Sequence, residues 1–416
     1  MKGIRVQPEN YTHTLDNGLV LVAEPNPSLE SAAFTFLLPA GGAYDPADAL
    51  GLNSFACEMA LRGAGPRDSR QLVDDLDALG VERGEGVSVE HTNYGGAAVA
   101  DNLLPALEIY ADVLQRPHLP VEQIEAGRQV VIQELMATED EPAHKVMVEL
   151  KRSHFPSPWG NPSQGEMASA MSIDIAQIRA QVARCYRPNG TILGVAGKFD
   201  WDELRDHVSR LFAAWESVEV PRPAEGPTNQ RVRHIMHEAH QTQIGIAYAS
   251  VPYSHEDYFC AWGAVGVLSG GMSARLFTEV REKRGLCYSV QASHQTLKDR
   301  GAVLCYAGTS ADRAQETLDV TLAELRRLAE GVRPEELDRL KARIKSGLIM
   351  QHESSSSRSS SIARDWFHLG RVRTLDELAA IIDRLSSDDI NAYLERRAPR
   401  DFTVVTLGPE PLEMPL

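Results

Sequence analysis

Apolar positions along the chain switch repeatedly between two periods. In "LDNGLVLVAEPNP", Leu19, Val20, Leu21 and Val22 follow an Asn-Gly pair, which predicts a strand entered from a tight turn, and "AAFTFLLPAGG" predicts a second strand. A helical period takes over from about Leu52 to Arg62, with Gly63 as its stop, and again from Ser69 to Leu79 with Gly80 as the stop. "GVSVEHTNYGGAAVA" reads as strand, and "NLLPALEIYADVLQRP" as an amphipathic helix ending near Pro117. Pro120 opens a long helix, "PVEQIEAGRQVVIQELMATEDEP", and "RPNGTILGVAGKFDWDEL" then supplies a strand, a turn and a helix start.

From Trp215 to His234 prolines and polar residues gather without a periodic apolar face, which predicts a linker. After it the order repeats: a strand ("QTQIGIAYASVP"), a helix entering "GGMSARLFTEVREKRG", strands ("CYSVQASH", "AVLCYAGTS"), then helices including "PEELDRLKARIKSGLI". The two Pro-led helices begin at Pro120 and Pro334, 214 residues apart, and the parallel order points to gene duplication. A chain of 416 residues exceeds one ordinary core, so we expect two domains, residues 1–219 and 233–416, joined by a linker at 220–232. For the run "HESSSSRSSS" two readings stay open, a flexible linker or a packed helix of small residues between helical flanks.

Composition narrows the function. With 43% hydrophobic and 24% charged residues the chain is of the soluble globular type. A net charge of −16 argues against general nucleic-acid binding. The opening "MKGIRVQPENYTHTLDNG" lacks the apolar core of a secretory signal and no apolar run is long enough to span a membrane, so we expect a cytoplasmic protein without membrane association. Five cysteines, odd in number and far apart, predict no disulfide framework.

One helix has the frame of a metal site. Two residues four apart on a helix share a face, so His-x-x-x-His can grip one zinc ion while a neighbouring Glu activates the bound water. "GLNSFACEMALRG" resembles the motif helix of the pitrilysin (M16, insulinase-like) peptidases, in which the pattern is Gly-x-x-His-Phe-x-Glu-His-Met followed by a basic residue and Gly. Gly51, Phe55, Met59, Arg62 and Gly63 match that frame, whereas Ser54, Cys57 and Glu58 stand where the first His, the Glu and the second His would be. Serine is a poor zinc ligand, and Cys57 and Glu58 point about 100° apart around a helix. We therefore expect no metal in this chain. Glu134 keeps the place of the family's third ligand, while Gly127 replaces an accessory Glu. Of the family's substrate strand only Thr92 and Tyr94 remain, with Gly84 and Glu85 in place of Asn-Ala.

The second half is closer to the family. "LSGGMSARLFTEVREKRGLCYSV" places Arg281 and Tyr288 at the positions of an Arg/Tyr pair that, in the family, reaches from the C-terminal domain toward the zinc site. A guanidinium that never loses its proton and a phenol of pKa about 10 are suitable fixed donors to an oxyanion. The resemblance covers nearly the whole chain and implies an α+β fold of two homologous pitrilysin-like domains (the LuxS/metallopeptidase-like type), each an antiparallel-rich sheet covered by helices. It further implies a zinc-free subunit that gives Arg281 and Tyr288 to a homologous zinc-bearing partner for hydrolysis of peptides or unfolded segments. A non-catalytic structural or peptide-binding protein, homodimeric or a core subunit of a larger complex, is the alternative, and a metal site on Glu58 and Glu134 is a third reading. His234, His237 and His240 lie three apart but carry no accompanying carboxylate pattern, so we read them as ordinary histidines before a strand; "SGGMS" lacks the spacing of a phosphate loop.

Overall fold

Strands that alternate apolar and polar residues bury one face, but the central strands here are apolar on both and demand cover on two sides. In Ser31–Leu38 ("SAAFTFLL") and Ile192–Gly197 ("ILGVAG") nearly every residue is buried. The computed structural model describes residues 10–414, so residues 1–9, on which the expectation of a chain without a leader partly rests, lie outside the described residues.

Two large sheets form, each in its own unit, besides a two-stranded pairing of Gly63–Ala64 with Arg67–Asp68 in the first. The first runs Tyr11–Thr14, Val20–Pro25, Ile192–Gly197, Ser31–Leu38, Thr92–Val99, Glu82–Val87. The second, read from its opposite edge, runs Val232–Met236, Thr403–Gly408, Gln241–Ser250, Gly301–Ser310, Cys287–Thr296. Apart from the extra edge strand Tyr11–Thr14 the two orders coincide. Each contains a single parallel pair at the same place, Val20–Pro25 with Ile192–Gly197 and Thr403–Gly408 with Val232–Met236, and antiparallel pairs elsewhere. The expected α+β class and the internal repeat are thus both present in the topology.

The units do not follow chain order. One comprises the described residues up to Met136 with Asn161–Ala224 and Ile349–Thr374; the other comprises Ala137–Gly160, Glu225–Leu348 and the chain from Leu375 onward. The first sheet is therefore covered on one face by helix Ser355–Leu369, from the second half of the sequence, and the second by helix Pro142–His154, from the first half. The serine run is helix, and its small side chains explain the fit. A Cβ on Gly194 would lie 2.3 Å from the Ser359 carbonyl oxygen, so only glycine allows this approach. Ser359 Oγ lies 3.0 Å from Thr35 Oγ1, and Ser355 Oγ 3.3 Å from Ser31 Oγ. Arg358 meets Glu24 through a bidentate pair, with Nε to Oε1 at 2.8 Å and Nη2 to Oε2 closing the fork; both side chains are almost wholly buried. Among the described residues no helix is long and apolar enough to cross a membrane.

Removing one member of a buried ion pair strands the other charge. Arg358→Ala is expected to lower unfolding stability by about 3–5 kcal/mol, while the double change Arg358→Met with Glu24→Leu recovers most of it. Urea denaturation of both variants checks this, and a single variant as stable as the parent contradicts it.

Candidate functional site

Helix Leu52–Ala60 starts at Gly51, whose φ of +88° suits glycine, and its free N–H groups find a carboxylate. Asp45 accepts hydrogen bonds from Gly51 N at 2.7 Å, Asn53 N at 2.9 Å and Asn53 Nδ2 at 2.9 Å. Leu52, Phe55, Ala56 and Met59 are buried, leaving Ser54 and Glu58, four apart, half-buried on the face that would carry ligands.

That face is committed to an ion pair. Arg62 donates from Nε at 2.9 Å and from Nη2 at 2.6 Å to Glu58 Oε1, and from Nη1 at 3.4 Å to Gln123. A Cβ on Gly127, where the accessory acid would stand, would lie 2.7 Å from Met59 Sδ, 3.2 Å from Phe55 Cε2 and 3.3 Å from Arg62 Nε, so the Met59 side chain would have to shift before a larger residue could stand there. Burial pushes the Cys57 thiol up to about 12, with Glu85, Glu58 and Glu134 adding to the rise against a hydrogen bond from Tyr94; it is protonated at neutral pH and neither ligates nor attacks. The Glu134 carboxyl is raised by burial and then by Glu58 and Glu85. Glu85 is raised by burial and by Glu58, against Arg83. Tyr94 is fully buried, its hydroxyl 2.7 Å from that of Tyr186, and so serves the core.

Three carboxylates, a hydroxyl and a guanidinium do not suit zinc, which takes four mostly imidazole or thiolate donors. Among the described residues no group of three or more His, Cys, Asp and Glu side chains is arranged to hold a metal ion. The Glu58–Glu134 metal reading fails on the same ground, because Glu58 is already neutralised by Arg62. The three histidines do not converge either. His234 lies within strand Val232–Met236, rather than ahead of a strand, and its Nδ1 is 2.9 Å from Thr406 Oγ1; His237 and His240 fall beyond the strand's end.

In the second unit Arg281 and Tyr288 come together. Residues Phe277–Glu282 form a wide turn in which Lys283 N–H bonds the Thr278 carbonyl five residues back at 2.9 Å. Gly285, at φ +58°, closes it, donating to the Arg281 carbonyl at 2.9 Å. The chain enters strand Cys287–Thr296 through a bulge: Cys287 pairs with Thr309 and Ser289 with Gly308, leaving Tyr288 as the unpaired extra residue. Its side chain is 84% exposed, and its ring centroid lies 4.9 Å from the Arg281 guanidinium carbon. The bulge is what turns a tyrosine outward here, and it left no mark in the sequence.

A buried bridge anchors this segment. Arg275 donates from Nε and Nη2 to Glu336 Oε1 and Oε2, both at 2.8 Å, and to the Gly331 carbonyl at 2.7 Å. Burial by itself would raise the Glu336 carboxyl, but the hydrogen bonds from Arg275 and Arg333 outweigh it and hold the group at about 2. Sequence reasoning passed over Arg275 and Glu336; an Arg inside the apolar stretch "SARLF" was the available signal.

Known proteins resemble this chain over nearly its whole length. Residues 20–162 match the family described as "Insulinase (Peptidase family M16)", and residues 172–344 the one described as "Peptidase M16 inactive domain". A Rickettsia felis protein named "Uncharacterized zinc protease" is 26% identical over 407 residues, covering 97% of this chain and 99% of the relative. A Bacillus subtilis zinc protease of the same description is 26% identical over 404 residues, covering 95% and 98%. Among solved structures, a Pseudomonas fluorescens chain described as a peptidase M16 inactive domain is similar at TM-score 0.85 and 20% identity, covering 98% of this chain and 100% of that one. A protease from Helicobacter pylori gives TM-score 0.88 at 19% identity over 97% and 100%. A chain of complex III2 from Candida albicans gives 0.83 at 19% over 96% and 95%. At these identities the structural likeness establishes the fold.

The Arg275–Glu336 bridge has a pH signature. Because the folded Glu336 pKa is depressed, its stabilisation is fully present above the ordinary value of 4.5 and is lost as pH falls toward about 2. Arg275→Met is expected to cost about 3 kcal/mol at pH 7 and to flatten the acid limb between those values. Urea midpoints from pH 7 to pH 2 check this; an unchanged acid limb contradicts it.

Proposed function

The chain belongs to the peptidase M16 (insulinase-like) family, and on that premise we propose that it is the zinc-free subunit of a two-chain peptidase, lending Arg281 and Tyr288 to a zinc site carried by a homologous partner. The observation that carries the reading is an asymmetry within one chain. The helix that would hold zinc has spent its ligand face on the Glu58–Arg62 pair, while the equivalent unit presents a cation and a phenol side by side at its surface.

Peptide hydrolysis proceeds through a tetrahedral oxyanion. Donors already fixed around it stabilise the transition state without reorganising at the moment of reaction. Arg281 supplies a permanent positive charge and Tyr288 an O–H donor, and an exposed pair can serve an active centre completed by another chain. The metal would polarise the carbonyl and supply the attacking hydroxide. Peptides or unfolded segments are the substrates and the cytoplasm the compartment we assign.

A second reading, a structural subunit without catalysis, draws support from the likeness to a chain of complex III2. Co-purification separates the two: a zinc-bearing homologue that associates and confers peptidase activity favours the first, and a stable metal-free homodimer without activity favours the second.

With the zinc-bearing subunit present, Arg281→Ala or Tyr288→Phe is expected to lower kcat by roughly 10²–10³ while zinc content stays unchanged. Steady-state peptide cleavage measures it, and turnover equal to the parent complex overturns the proposal.

A further inference from the structure

Arg281 is held by its faces and not by its edges. The Phe277 ring centroid lies 4.8 Å from the guanidinium carbon and the Tyr288 centroid 4.9 Å, so two aromatic rings grip one cation. Among the described residues no side chain or carbonyl accepts a hydrogen bond or ion pair from this guanidinium. Glu279, two residues earlier and the same charge sign as a competing acceptor, is already engaged by Lys283 at 2.7 Å and Arg284 at 3.0 Å.

Most arginines that are fixed in a protein are fixed by carboxylates, which consume the N–H fork and neutralise the charge. Stacking restrains the plane of the group while leaving all five donors available. We propose that Phe277 is the positioning residue of this site: its ring pins the Arg281 guanidinium against Tyr288 so that the fork stays free and aimed outward for an incoming oxyanion or carboxylate. The wide turn contributes by placing residues 277 and 281 on nearly one face, and the contact of Arg313 with the Gly285 carbonyl at 2.6 Å steadies the return of the chain toward Tyr288. Phe277 acts through Arg281. The consequence for turnover rests on the subunit role proposed above, whereas the ordering of Arg281 does not.

The test uses the full chain with Phe277→Leu, which keeps apolar bulk and removes the ring, and Phe277→Trp, which restores a ring face. Nitrogen-15 relaxation of the Arg281 Nε–H group, assigned with Arg281→Lys, reports ordering without any partner. Arg281 is expected to be ordered in the parent and in Phe277→Trp, and in Phe277→Leu to become as mobile as exposed arginines. In the assembled peptidase Phe277→Leu should then lower kcat about tenfold with KM little changed, and Phe277→Trp should recover it. Arg281 as ordered in Phe277→Leu as in the parent overturns the proposal, whatever the turnover. Mobility gained in Phe277→Leu supports it; if turnover is then indifferent both to Phe277→Leu and to Arg281→Ala, the positioning stands and the subunit reading is what fails.

Discussion

A sheet that is apolar on both faces cannot be finished by helices packed on one side. Strands Ile192–Gly197 and Thr403–Gly408 are buried at every position, and in each unit the second face is closed by a helix that the other half of the sequence supplies. This requirement organises the rest. It makes each unit discontinuous and brings serines against a sheet where larger residues would not fit. It also places one fully buried ion pair, Glu24 with Arg358, where a free charge would be costly. Chain order and spatial order therefore part company, and the ends of both sheets opposite the single parallel pair are left as edge strands, Glu82–Val87 and Cys287–Thr296.

Those two edges are topologically equivalent and chemically different. Beside the first, acids gather around Glu58, and Arg62, just past the end of the same helix, is spent on Glu58. At the second, a bulge turns Tyr288 outward and a wide turn lays Arg281 against it. One strand order thus recurs in both units while the side chains at the two edges differ. The donor types of the first half do not suit zinc, and because Glu58 is paired with Arg62, an imidazole restored at Ser54 alone would still face an engaged carboxylate.

Much of this was legible in the sequence because it is local. Gly18, Gly63 and Gly80 each stand at positive φ where turn chemistry asked for them, and the repeated order of elements appears as two large sheets of one topology. Arg281 and Tyr288, seven positions apart and placed as a pair by the resemblance alone, lie side by side in the fold. Non-local facts were hidden. Serine packs a helix or loosens a linker equally well by composition, and only the approach at Gly194 decides between them. Helix exchange leaves no local trace. Phe277, within "RLF", reads as one more core residue until its ring is found against a cation, and His234 reads as a residue before a strand because strand edges carry weak patterns.

The central claim is that this chain gives a cation and a phenol, and no metal, to hydrolysis. Elemental analysis by mass spectrometry of the purified chain and of its complex with a zinc-bearing homologue tests it most directly. The account predicts a metal-free isolated chain and about one zinc for each pair of chains in the active complex. Stoichiometric zinc in the isolated chain, accompanied by peptidase activity, would contradict it.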